Sequence, residues 1–168
     1  MSLHEVAIYL TTKAKEGGGD LADAYGRSAF NRYYYATFLT VRELLGALDS
    51  SWQGTSHANI PGMLEDAVIN KIKKAAKAQG KNGLITKGRE QSLISQAVSS
   101  ATEIAHLMRA AYSVRVVSDY EPENKLIFKK QTFEIIGHTD SEAKNWMIRA
   151  SREKGVLLSI SKELGLVS

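Results

Sequence analysis

Ile94, Ala97, Val98, Ala101, Ile104, Ala105, Met108, Ala111 and Tyr112 place an apolar side chain at every third or fourth position without a break. A stripe of that period closes on one face of an α-helix and on no face of a β-strand. The chain's two prolines, Pro61 and Pro122, lie outside this stretch, so nothing within it must stop a helix. Many of the stripe residues are alanines, which let a neighbouring helix approach closely. That spacing predicts an all-α fold, an antiparallel bundle of four or five helices.

The same period recurs along the chain. Val6, Ala7, Leu10 and Ala14 predict a first helix over residues 3–15, ended by the glycines at 17–19. Phe30, Tyr34, Phe38, Val41, Leu45 and Leu48 predict a second over 20–48. A polar connection at 49–56 leads to a third over about 57–79, which Pro61 either starts or breaks. Gly80 and Gly83 bracket a loop before the striped fourth helix, over 89–117. Residues 125–136 read as extended, a short two-stranded ribbon. Thr139 or Asp140 then caps a fifth helix that runs to about 164. One domain over 1–168 is expected, with its core in about 20–120 and a C-terminal extension at 123–168.

Composition narrows the function. With 43% hydrophobic and 24% charged residues the chain reads as globular. It has no cysteine, which excludes disulfides, thiolate metal sites and cysteine nucleophiles. The first residues do not form a signal peptide and no apolar run spans a bilayer, so a cytoplasmic protein without a membrane partner is expected. Phosphate-loop, dinucleotide and nucleophile-elbow motifs are missing. Glu103 and His106 have the spacing of a bundle metal site, but that site needs a second copy and further carboxylates. No metal or cofactor is therefore expected.

Charge is unevenly spread. Lys71, Lys73, Lys74, Lys77, Lys81, Lys87 and Arg89 follow one another with no acid between them. The block is either a solvated face or a phosphate contact for nucleic acid. A second cluster, Asn31-Arg32-Tyr33-Tyr34-Tyr35-Ala36-Thr37-Phe38, sets an arginine and three tyrosines on the second helix. Arg32 and Tyr35 share a face, and a half-buried arginine needs an anion. Asp119, in Arg115-Val116-Val117-Ser118-Asp119-Tyr120, is the attractive internal partner. Two readings stand: a structural clamp of Arg32, Tyr35 and Asp119, or a cleft in which Arg32, Arg115 and the tyrosines receive phosphate.

These two clusters resemble the HEPN-domain proteins, of the small prokaryotic kind with Ser-Arg-x-Tyr-Tyr-Ala-x-Phe in the second helix. Asn31 stands for the serine, Arg42-Glu43-Leu44-Leu45 continues the likeness, and Arg115 to Tyr120 is similar to the closing Arg-x-x-Ala-Asp-Tyr. The resemblance implies a helical homodimer in a toxin–antitoxin or phage-defence module. It also implies a nucleotidyltransferase partner and RNA as ligand. Many such proteins are metal-independent ribonucleases with Arg, four to six residues, then His. Here Arg115 is followed at that distance by Tyr120, and His57 sits where the group often has a histidine after the polar connection, so the resemblance implies Arg115, Tyr120 and His57 as the catalytic set. Lys71, Lys73, Lys74 and Lys77 are the candidate nucleic-acid contacts. The rival reading is a non-enzymatic subunit that dimerises and binds a partner protein.

Overall fold

A computed structural model describes residues 1–168. The chain is an all-α bundle carrying a small three-stranded antiparallel sheet of order β1-β2-β3. Its elements are α1 (Leu3–Glu16), α2 (Gly19–Leu48), two 3-10 turns (Ser50–Gly54 and His57–Asn59), α3 (Ile60–Met63) and α4 (Ile69–Lys81). Then follow α5 (Lys87–Tyr120), β1 (Ile127–Phe128), β2 (Phe133–Ile135), β3 (His138–Thr139) and α6 (Asp140–Glu163). No helix is long and apolar enough to cross a membrane.

Local chemistry explains the boundaries. Ser2 and Glu5 form a capping box: the Glu5 amide donates to Ser2 Oγ (3.2 Å) and the Ser2 amide to Glu5 Oε2 (2.6 Å). Gly19 opens α2 at φ +58°, a left-handed backbone that suits glycine. Pro61 starts α3 rather than breaking it. The third predicted helix is not uniform, because a π turn at Leu64–Val68 joins α3 to α4. Thr139 caps α6, accepting the Glu142 amide at 3.1 Å.

The contacts divide the chain into two compact units. The first holds residues 1–39 and 109–149. Phe30 is its centre, with Phe133 edge-on at 5.5 Å and Trp146 at 6.4 Å, all three rings buried. Tyr33 is buried too, its hydroxyl 3.1 Å from Thr11 Oγ1. A Cβ at Gly26 would come 2.4 Å from Leu126 Cδ1 and 3.1 Å from Phe133 Cε2, so a larger residue there must displace the Leu126 side chain. The second unit holds residues 40–108 and 150–168. Its core is aliphatic, with Leu44, Leu45, Ile60, Leu64, Ile72, Leu93 and Ile104 fully buried. The alanines of the α5 stripe, Ala97, Ala101 and Ala105, are buried with them.

The β2–β3 turn is a two-residue hairpin of Ile136 (φ +43°) and Gly137 (φ +81°). Two positive φ values suit Asn-Gly, and a β-branched residue at the first is strained. Ile136 is half-exposed, so little packing holds it there. Ile136→Asn is expected to stabilise the fold by about 1 kcal/mol, read as a rise in melting temperature.

Candidate functional site

The polar groups of the first unit gather where α5 ends. An α-helix leaves its last four carbonyls without partners, and negative potential collects there. Asp23, Arg27, Asn31 and Tyr35 stand four residues apart on α2 and so form one ladder. Arg27 is the centre. Its Nη1 donates to the carbonyls of Val117 (3.2 Å), Ser118 (3.3 Å) and Glu121 (3.3 Å). Its Nη2 donates to the carbonyls of Pro122 and Asn124. Its Nε donates to Asp23 Oδ2 at 2.7 Å. The guanidinium fork has five N–H donors for these six acceptors, so one Nη1 hydrogen is shared between two carbonyls. Asp23 Oδ1 takes the Leu126 amide at 2.9 Å, which fixes the chain just past α5. Burial opposes the Asp23 charge, but the Leu126 amide, Arg27 and Lys125 together hold its carboxyl below its ordinary value.

One turn further along α2, Asn31 Nδ2 donates to both oxygens of Asp119 at 2.8 Å. Asp119 Oδ2 lies 2.9 Å from Arg115 Nε. Arg115 Nη2 donates to the Tyr120 hydroxyl at 3.2 Å, and its Cζ is 5.1 Å from that ring's centre. Burial works against the Arg115 charge, yet Tyr35, Asp119 and Tyr120 raise its pKa above the ordinary value. Tyr120 itself is 65% exposed. The arrangement presents a phenol at the surface, held by a guanidinium beneath it.

The expected clamp is corrected by this geometry. Arg32 is exposed and makes no ion pair; Asp119 is held by Asn31 and Arg115 instead. Arg32 shares a solvent stripe with Leu21, Ala24, Ser28 and Leu39. Tyr35 is half-buried against Tyr34 and Phe38, with ring centres at 5.3 and 6.3 Å. Of the predicted catalytic residues, Arg115 and Tyr120 come together in the first unit. His57 belongs to the second unit, in the 3-10 turn His57–Asn59.

The lysine block also divides. Lys71 is tied to Asp49 Oδ2 at 3.1 Å and lies 5.0 Å from the Trp52 ring centre, so it braces the turn after α2. Ser51 and Lys71 hold the Asp49 carboxyl down to about 2. Lys73, Lys74 and Lys77 have no acidic partner, and Lys74 and Lys77 are fully on the solvent side of α4. Glu103 and His106 line a groove of about 620 Å³ with Ser99, Thr102, Arg152 and Glu153. Glu153 is occupied there by Ser100 Oγ (2.8 Å) and Arg152 Nε (2.7 Å). No group of three or more His, Asp or Glu comes together in metal-binding range.

Asp23 and Arg27 escape sequence reading, although an acid and a base four apart, in line with Asn31, are a legible signal. Asp140 escapes as well. It is read as a cap but is buried, accepting Lys15 Nζ (2.6 Å), the Phe133 amide (3.0 Å) and Thr132 Oγ1. Compared with protein-family models, curated proteins and solved structures, the chain matches none.

Proposed function

We propose that the protein is a HEPN-type component of a prokaryotic toxin–antitoxin or phage-defence module, and that it binds RNA through phosphate contacts. The observation that carries the reading is the Arg115–Tyr120 pair. A guanidinium and an exposed phenol stand together at the end of α5, where the resemblance sets arginine and histidine. Arg32, exposed and unpaired, is a second cation for phosphate, since an arginine fork takes two phosphate oxygens at once. Lys73, Lys74 and Lys77 add a sequence-independent contact. Strand cleavage at such a site runs without metal, with Arg115 stabilising phosphate charge. A homodimer and a nucleotidyltransferase partner belong to the same reading.

The test is purified protein with total RNA in EDTA, beside Arg115→Ala. The reading expects an RNA complex that EDTA leaves intact and that Arg115→Ala weakens by about tenfold at equal folding. Cleavage lost in the variant would mark the site as a nuclease. Failure to bind or cleave RNA would sink the proposal.

A second reading has its own observation. Asp119 is engaged by both Asn31 and Arg115, so the cluster closes on itself. On that reading the chain is a non-enzymatic subunit for a partner protein, and Arg115→Ala unfolds it without a separate effect on RNA.

A further inference from the structure

The turn between α1 and α2 shares a cavity of about 320 Å³ with β1 and the residues after it. Lys15, Lys129 and Lys130 line it, with Phe128 and the backbone of Gly17, Gly18 and Gly19. No acidic residue is among its walls. Two of the lysines have internal partners: Lys15 is 2.6 Å from Asp140 and Lys129 is 2.6 Å from Glu134. Each ammonium carries three donors, so both keep hydrogens for a further acceptor. Lys130 is exposed and has no acidic partner.

The remaining walls suit one kind of ligand. A Cβ at Gly18 or Gly19 would meet nothing within 4 Å, so this backbone is open to close approach. The first amides of α2, a helix of 30 residues, begin here and have no intrahelical acceptor. Phe128 is 42% exposed and leans on Phe133, ring centres 5.4 Å apart and planes tilted by 41°, so a buttressed ring is open in part to solvent. Such a ring is a stacking platform for a flat heterocycle. The lysines and the ring come from other elements than α2, so the site does not rest on a helix end. Asp20, in the first turn of α2, opposes an anion but lies 3.7 Å from Lys125. The volume is at the low end for small-molecule pockets, which fits one nucleotide rather than a strand.

We propose that this cavity binds a nucleoside monophosphate. The phosphate sits between Lys130 and the Gly18–Gly19 backbone, and the base stacks on Phe128. The site is independent of the RNA reading, because Arg32 and Arg115 take no part in it.

The test is calorimetric titration of the whole protein with AMP, adenosine and inorganic phosphate. AMP is expected to bind at about 1 mM or tighter, and the other two at least about tenfold more weakly. Lys130→Glu should weaken AMP by about tenfold or more at an unchanged melting temperature. Phe128→Ala should weaken AMP and leave inorganic phosphate unaffected. Arg115→Ala should leave AMP binding intact even if it abolishes RNA binding. Equal AMP affinity in wild type and Lys130→Glu, or no AMP binding at all, would overturn the proposal. Inorganic phosphate binding as tightly as AMP would overturn the base-stacking half of it.

Discussion

Arg27→Ala is expected to destabilise the protein by about 3–5 kcal/mol, the cost of leaving a buried charge without its partner. Two losses add. The guanidinium is the side-chain donor for the Val117 and Ser118 carbonyls at the end of α5 and for three carbonyls beyond it. Asp23, 9% exposed, would keep its charge with only the Leu126 amide and a distant Lys125. At a few degrees per kcal/mol for a chain of this size, the melting temperature should fall by about 10 °C. Arg32→Ala is the control. Arg32 is exposed and unpaired, so its loss should change stability by less than about 0.5 kcal/mol. Calorimetry or denaturant melts of the two variants, side by side, check the pair of values.

Asp140→Asn should be the next most damaging change, by about 2–3 kcal/mol. Its carboxylate, 3% exposed, holds Lys15 of α1, Thr132 and the Phe133 amide of β2 to the first turn of α6. Burial opposes this charge, but Lys15, Thr132 and the Phe133 amide more than offset it, and the carboxyl lies below its ordinary value. The sign follows from that direction. A depressed folded-state pKa contributes stability that is complete above the unfolded value, about pH 4. That stability is lost as pH falls below it, through the folded value. Acid melts of the wild type should show the loss, and Asp140→Asn should remove this part of the pH dependence.

The long helices were legible because their signals are local. The α5 stripe of Ile94 to Tyr112, the glycines after α1 and the Thr139 cap each act within a turn or two of chain. The π turn at Leu64–Val68 was not legible, since a shift of one hydrogen-bond register depends on what packs beneath it. The candidate site was half legible. Arg115 and Tyr120 meet as their spacing suggests, within one helix end. Arg32 drew attention through its tyrosine neighbours, but Tyr33 and Tyr34 face the core while Arg32 lies on the stripe of Ala24 and Ser28. Which arginine of α2 reaches backbone carbonyls is decided by where α5 ends, a contact about ninety residues away in sequence. Nothing near Arg27 announces those carbonyls. The tie of Lys71 was hidden for the same reason, its partner Asp49 lying before the turn rather than within the lysine block.

The most direct test of the functional account is RNA affinity against salt for wild type, Arg32→Ala and Arg115→Ala. The account predicts a wild-type affinity that falls steeply between about 50 and 200 mM salt, as released counterions require. Each variant should bind more weakly, with a shallower slope, while melting near the wild-type temperature. RNA binding that is absent, or that both variants retain unchanged, would contradict the account and leave the Arg115–Tyr120 pair as a lock on the end of α5.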